Sequence, residues 1–329
     1  MSMSFTARVL LLGLVTAGAH AARPDPVADP AQFAQEVAAE HGIEAGRVGA
    51  LLGQAVYRQS IIDAITRPAE AKPWHAYRPI FLNAARIEGG RAFLAQHRAQ
   101  LQAVQERTGV PAELIVAIIG VETNYGRITG SYRVIDALYT LGFYYPRRAD
   151  FFRAELGHLF ALAQEEGLDP LEVSGSYAGA MGWGQFIPSS YRAYAVDGDG
   201  DGRRDLWNSR ADIFASIANY FVAHGWEADA PVAIPAQRAV DAEPFVPETL
   251  EALMDLPELA AKGYRPRYAI GRNLPATLLT LEGRGGPEYW ITFGNFYVIS
   301  RYNRSPLYSL AVYQLAQALG HEGVGVPAP

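Results

Sequence analysis

Cysteine is absent from the 329 residues, and that absence removes several chemistries at once. No disulfide can form, no thiol can act as a nucleophile, and no cysteine can carry a lipid anchor. In an oxidising compartment the fold must then rest on its core or on a bound metal. Excess basic charge is missing too. Lys and Arg number 28 against 34 Asp and Glu, for a net charge of -6. No Lys/Arg run forms a phosphate-tracking stripe, which excludes nucleic acid as a partner. Beyond the N-terminus there is no apolar run long enough to span a bilayer, so no integral membrane anchor is expected. The seven His include no H-E-x-x-H pair, and neither a G-x-S-x-G elbow nor a phosphate-binding P-loop occurs. Internal repeats and low-complexity tracts are lacking as well, and no feature calls for an organic cofactor.

What is present is an ordinary globular composition, 50% hydrophobic and 19% charged, in a chain long enough for one large domain or a few modest ones. The 18 Tyr and 5 Trp supply flat faces of the kind that hold sugars, although most aromatics in any protein are core. At the N-terminus, Arg8 precedes a short apolar run from Val9 to Val15, and small residues lead to Ala19-His20-Ala21. This reads as a cleavable signal peptide over 1–21 and predicts export to the periplasm.

From Pro30 to about Arg98, apolar residues recur at helical spacing: Phe33, Val37 and Ala38, then Val48, Leu51, Leu52, Val56, Ile61 and Ile65. A further helix is expected from about Pro79, with Gly89-Gly90 separating it from the next. A second helical block runs from about Ala99 to Trp226. Within it, Leu114 to Val121 is apolar nearly all round, the mark of a buried helix, and Pro111 suits its first turn. Phe151–Gln164 and Ile213–His224 are also helical in pattern, whereas Ser174–Pro188 is too rich in Gly for more than turns. From Glu227 to Gly286, Pro and Gly punctuate short β-friendly pieces such as Ala276–Leu281. Leu307–Leu319 closes the chain as a helix.

Three segments carry chemistry. Glu122 lies at the end of the most apolar helix, in Gly120-Val121-Glu122-Thr123-Asn124-Tyr125-Gly126. Desolvation there raises a carboxyl pKa, as a general acid working near neutral pH requires. A buried Glu that pairs with Arg or caps backbone groups fits the same position. The second segment, Ser176 to Ser190, sets Gly179, Gly182 and Gly184 among Met181, Trp183 and Gln185. It reads as either a sugar-binding wall or a tight connection between helices. The third, Asp197-Gly198-Asp199-Gly200-Asp201-Gly202-Arg203, places carboxylates at positions one, three and five of a calcium loop, with Gly at six and the Arg203 carbonyl at seven. Position twelve holds Asn208 where Glu is usual, and Asp212 is the candidate to replace it from a longer loop.

In this order, the three segments resemble the lytic murein transglycosylase B family, glycoside hydrolase family 103, as a soluble member. The likeness extends to Tyr57-Arg58-Gln59-Ser60, Arg67-Pro68-Ala69-Glu70, Trp74, Ala218-Asn219-Tyr220-Phe221 and Arg301-Tyr302-Asn303. It implies a mainly α (α+β) fold. The signal peptide over 1–21 would be followed by an N-terminal helical domain over 22–98 and a lysozyme-like core with an EF-hand-like loop over 99–226. A small β insert over 227–288 and a return to the core over 289–329 would complete it. It implies that Glu122 is acid and then base in a non-hydrolytic cut of the MurNAc-β-1,4-GlcNAc bond of peptidoglycan, by exo- or endo-cleavage. Ser176, Met181, Gln185, Tyr302, Asn303 and Tyr308 would line the sugar groove. Asp197, Asp199, Asp201, Arg203 and Asp212 would hold a structural Ca2+. Glycan strands are the implied partner, with cell-wall synthesis or division proteins as further ones. A hydrolysing muramidase on the same scaffold, or a binding protein that has lost activity, would share most of these features. A calcium sensor would need paired loops and a Met-rich groove, which one loop and 4 Met do not supply.

Overall fold

A computed structural model describes residues 24–67, 72–271 and 273–320. The signal peptide and Pro68-Ala69-Glu70 lie outside the described residues. The chain opens with α1 (Pro30–His41), α2 (Ala45–Leu52) and α3 (Gln59–Thr66). Asp29 caps α1 by accepting from the Ala31 N–H at 2.8 Å, and Gly42 ends it in the left-handed region. Next come α4 (Trp74–Phe81), α5 (Ala84–Gln96) and α6 (Arg98–Thr108). Two expectations are corrected here. Pro79 lies inside the last turn of α4 and does not begin a helix, and α5 runs unbroken through Gly89-Gly90. Those glycines have a packing role: a Cβ on Gly90 would overlap the Tyr125 hydroxyl and Leu319. Helix propensity at two glycines gives way to a close approach between segments.

The core is built on α7 (Ala112–Thr123), in which Leu114 through Gly120 are buried on every side. Each large aliphatic side chain buried there stabilises the fold by roughly 1.5–3 kcal/mol over an exposed one. The short β1 (Tyr132–Arg133) leads into α8 (Val134–Tyr144), in which every residue is buried, and α9 (Ala149–Glu166) packs alongside it. The buried Asp136 carboxylate binds Arg58, Arg133 and the Val56 N–H, fastening the segment before α3 to α8. β2 (Ser174–Gly175) pairs with β1 and opens the glycine-rich segment, followed by α10 (Pro188–Tyr194) and α11 (Arg210–Ala223).

The chain then leaves the helices for an antiparallel sheet. β3 (Ala233–Arg238), α12 (Leu256–Ala261), β4 (Tyr264–Pro266), β5 (Ala276–Gly283) and β6 (Gly286–Phe293) follow in sequence. The strand order is β4-β3-β6-β5. Leu259, Tyr264, Leu278, Ile291 and Phe293 form its own small core. The sheet continues past residue 288, where the sequence placed the end of the insert. The reason is that β6 pairs with β5 through Phe293 before the chain turns helical. Trp74, fully buried in α4, donates its indole N–H to Glu288 at 3.1 Å and ties the sheet to the N-terminal helices. Finally, α13 (Gly294–Tyr302) and α14 (Pro306–Gly320) return to the core, with α14 packed along α7. Among the described residues no helix is long and apolar enough to cross a membrane.

Candidate active site

Glu122 occupies the last turn of α7, and the antiparallel partner α14 begins beside it. There the Tyr308 hydroxyl donates to Glu122 Oε1 at 2.6 Å. The Glu122 residue keeps some accessible surface, yet protein atoms crowd its carboxyl group closely. Desolvation therefore dominates and pushes its pKa up to about 7, against a smaller lowering by the Tyr308 hydrogen bond. No other carboxylate contributes to that shift. Tyr77, Tyr302 and Tyr308 are all moved above the usual phenol range, by burial first and then by the Glu122 charge. Three phenols that stay protonated thus face one carboxyl group, which stands half-ionised near neutral pH. Such a group can give a proton and take one back.

The turn after Glu122 is tightly specified. Asn124, Tyr125 and Gly126 are all left-handed, at φ 51°, 61° and 79°. The Thr123 hydroxyl reaches the Ile119 and Trp183 carbonyls, each at 3.1 Å, and accepts from the Gly126 N–H. The Trp183 carbonyl brings the glycine-rich segment against Glu122's own turn. Gln185 sits at φ 52° with its amide nitrogen donating to Gly182 and Thr129 carbonyls at 2.9 and 3.2 Å. The Ser176 hydroxyl accepts from the Ala180 N–H at 3.0 Å, closing the Ser176–Ala180 turn. Tyr302 donates to the Gly184 carbonyl at 2.6 Å, so α13 holds the same segment from the other side. Asn303 caps α13, is exposed, and accepts from the Ser305 N–H. Met181 has no accessible surface. A sugar cannot lie against it in this arrangement, and its contribution is packing beneath the segment, where its backbone bridges Gly175 and Phe186.

The acidic loop lies between α10 and α11. Carboxylate oxygens of Asp197, Asp199 and Asp212 fall within 4.8 Å of one another, the right kind of donors for a hard cation. Asp212, at the start of α11, is wholly buried and accepts from the Gly198 and Asp205 N–H groups, each at 2.7 Å. Burial is the main reason its pKa is raised, with the Asp199 charge adding to it. Asp197 binds the backbone N–H groups of Gly200, Asp201 and Gly202. Asp201 lies outside the three-carboxylate group and is exposed, its carboxylate accepting from the Arg203 N–H. The donor set thus draws on both ends of the loop and includes the Asp212 that stood outside the twelve-residue pattern.

Residues 27–317 match the family model of the transglycosylase SLT domain. The chain belongs to this family. It is 40% identical over 298 residues to the membrane-bound lytic murein transglycosylase B of Escherichia coli (strain K12), covering 88% of this chain and 81% of that protein. Among solved structures it is similar to the catenated lytic transglycosylase SltB1 from Pseudomonas aeruginosa, at 48% identity and a TM-score of 0.84, over 88% of this chain and 96% of that one. It is also similar to the Escherichia coli lytic transglycosylase Slt35 in complex with calcium, at 40% identity and TM-score 0.80, over 88% and 91%. SltB3 from Pseudomonas aeruginosa in complex with NAG-anhNAM-pentapeptide matches at 34% identity and TM-score 0.77, over 89% and 80%. The mainly helical, lysozyme-like fold implied by the sequence is therefore that of the SLT-domain transglycosylases.

Two features of the surroundings of Glu122 escaped the sequence. Tyr77 follows no motif and reaches Glu122's surroundings only because α4 packs against α14. The contact between Arg86 and Tyr125 was equally hidden, because Gly89-Gly90 and Gly120 meet the Tyr125 ring only once α5 and α7 are packed together.

Proposed function

We propose that this chain is a lytic transglycosylase that cleaves the MurNAc-β-1,4-GlcNAc bond of peptidoglycan, with Glu122 as general acid and then general base. The observation that carries the reading is a single desolvated carboxyl group, its pKa pushed up to about 7, held by the Tyr308 hydroxyl with Tyr77 and Tyr302 close by. In the first step the Glu122 carboxylic acid gives its proton to the glycosidic oxygen as the C1–O bond breaks, releasing the GlcNAc 4-hydroxyl. In the second the Glu122 carboxylate takes the proton of the muramoyl C6 hydroxyl as O6 bonds to C1. The 1,6-anhydro ring closes, no water is consumed, and Glu122 returns to its acid form. The positive charge that develops at C1 needs no second protein carboxylate if the substrate's own N-acetyl group supports it. Gln185, Ser176, Tyr302 and Asn303 line the proposed groove. The anhydromuramoyl ligand of SltB3 is the kind of product this route makes.

The site predicts its own product. Digestion of purified peptidoglycan should release muropeptides lighter by one water than those made by a muramidase. Mass spectrometry showing reducing muramoyl ends instead would replace transfer by hydrolysis.

The same reading assigns the acidic loop to a structural Ca2+ held by Asp197, Asp199 and Asp212, with Asp201 and the Arg203 carbonyl as further oxygen donors. Bound there, the cation would neutralise carboxylates that otherwise repel one another at the start of α11, and it takes no part in the proton transfers. Adding a chelator should lower the melting temperature of the wild type by several degrees, about 1–3 kcal/mol, and leave an Asp212→Ala variant unmoved. Equal melting curves for the wild type with and without chelator would remove the cation from the account. Export through a signal peptide over 1–21 would place the enzyme in the periplasm beside the glycan strands and the cell-wall synthesis or division proteins that act on them.

A further inference from the structure

Two residues, Arg86 on α5 and Tyr125 in the turn after α7, hold the end of α7 in place. Tyr125 inserts its ring between α5 and α7. A Cβ on Gly120 would come within 2.8 Å of that ring, one on Gly90 would overlap its hydroxyl, and one on Gly89 would just touch the ring at 3.5 Å. The ring stacks on Phe93, with centroids 5.9 Å apart. At the far end of the slot the Tyr125 hydroxyl donates to the Arg86 carbonyl at 2.7 Å. Arg86 in turn sends its guanidinium back to the Gly120 carbonyl, which also accepts the Asn124 N–H. The bonds run in both directions: residue 86 receives from 125 and gives to 120, two positions before Glu122.

Such an arrangement exceeds what core packing requires. A bulky aromatic at positive φ costs about 1–3 kcal/mol and persists only where its surroundings impose it. Here a Tyr with φ 61° directly follows Asn124 at φ 51°, so the strain sits three residues beyond the carboxyl group that must be aimed. The last carbonyls of a helix carry its negative end and lack helix partners. The Gly120 carbonyl already accepts the Asn124 N–H, and the guanidinium adds a second, charged donor to it where fraying would swing Glu122 away from Tyr308. Asn83 caps α5 by accepting from the Arg86 N–H at 3.0 Å, so the latch is anchored on a rigid helix start and not on a loop.

We infer that Arg86 and Tyr125 are positioning residues for the reaction, a two-way latch that holds the last turn of α7 so that the Glu122 carboxyl group meets its substrate oxygen. The inference rests on the role proposed for Glu122. It predicts a cost in turnover and not in binding, because the Tyr125 ring is buried and the Arg86 guanidinium is engaged on the Gly120 carbonyl, while misplacement of a catalytic group by about 1 Å can cost roughly 100-fold in rate.

The test compares four variants with the wild type on purified peptidoglycan: Tyr125→Phe, Arg86→Met, Arg86→Lys and Glu122→Gln. Tyr125→Phe removes one oxygen and keeps the ring in its slot, so it stays informative even if Arg86→Met fails to fold. Circular dichroism and melting curves establish which variants are folded. The expected result is a fall in kcat of about tenfold for Tyr125→Phe and tenfold to 100-fold for Arg86→Met, with KM within twofold. Arg86→Lys, which can still reach the Gly120 carbonyl, should recover part of the loss. Folded Tyr125→Phe and Arg86→Met with wild-type kcat would overturn the latch, as would a loss appearing only in KM. Retained activity in Glu122→Gln would instead overturn the role of Glu122 itself, so the two failures are distinguishable.

Discussion

Glu122→Gln should lose anhydromuropeptide release by about 1,000-fold or more, the scale on which a positioned acid and base contributes, while the protein becomes more stable at alkaline pH. Gln keeps the shape and an oxygen that can accept from Tyr308, but it can neither give nor take a proton. The stability change follows from linkage. Burial raises the Glu122 pKa from 4.5 to about 7 in the folded state, so the folded protein holds this proton more tightly than the unfolded chain does. The associated stability is fully present below pH 4.5 and is lost as pH rises through about 7. Above that, the folded protein carries a poorly solvated charge that costs about 3–4 kcal/mol, at about 1.4 kcal/mol per pKa unit. Gln never carries it. Melting curves at pH 8 should therefore place the variant about 5 °C above the wild type, and the gap should close near pH 4. The same titration sets the rate profile: kcat/KM should fall on the alkaline side of about pH 7 as the acid form is depleted. A variant that is inactive and no more stable at pH 8 would mean that the carboxyl group is not desolvated as the geometry has it.

Gly130→Ala should be among the most damaging single methyl additions in the molecule. Gly130 has φ 94°, a conformation that L side chains rarely adopt, and its Cβ would overlap the backbone carbonyl of Gly175. A flexible side chain could move aside, but here the obstacle is backbone fixed by the pairing of β1 with β2, where Tyr132 faces Gly175 and Arg133 faces Ser174. The segment that carries Ser176 and Gln185 must then separate from the turn that follows Glu122. The expected cost is about 3 kcal/mol, from overpacking and backbone strain together, or a melting temperature lower by about 4–5 °C. Activity should fall more steeply than folded protein does, because the segment proposed to line the groove moves before the core gives way. Melting and turnover measured on the same preparation check both parts, and an unchanged melting temperature would show that the two segments do not approach each other so closely.

Much of the site was legible because its chemistry is local in the chain. The run from Leu114 to Val121 announces a buried helix, and a Glu at its end must be desolvated wherever that helix lies in the core. Three Asp at alternate positions with interleaved glycines announce a cation loop through its turn geometry. Two readings give way to packing. Gly89-Gly90 reads as a break when glycine is weighed by helix propensity, whereas α5 keeps its helix and uses the missing side chains to admit Tyr125. Met181 offers a soft apolar surface, and the family resemblance places it in the sugar groove. Its burial depends on how the segment folds back onto β2 and Phe186.

The amino-acid sequence alone determined that the chain is mainly helical, that one carboxyl group would lose its water, and that Asp197 and Asp199 would face one another across a turn. Periodicity and short-range sterics act within a few residues and can be read in order. The tertiary structure alone decided what surrounds Glu122. Tyr308 is brought to its oxygen across 186 residues of chain. Tyr302 is fixed by its bond to Gly184, and Arg86 reaches the Gly120 carbonyl from a different helix. Asp212 likewise joins Asp197 and Asp199 only because α11 begins where the loop returns. Those contacts follow from how helices pack in three dimensions, and no spacing along the chain encodes them.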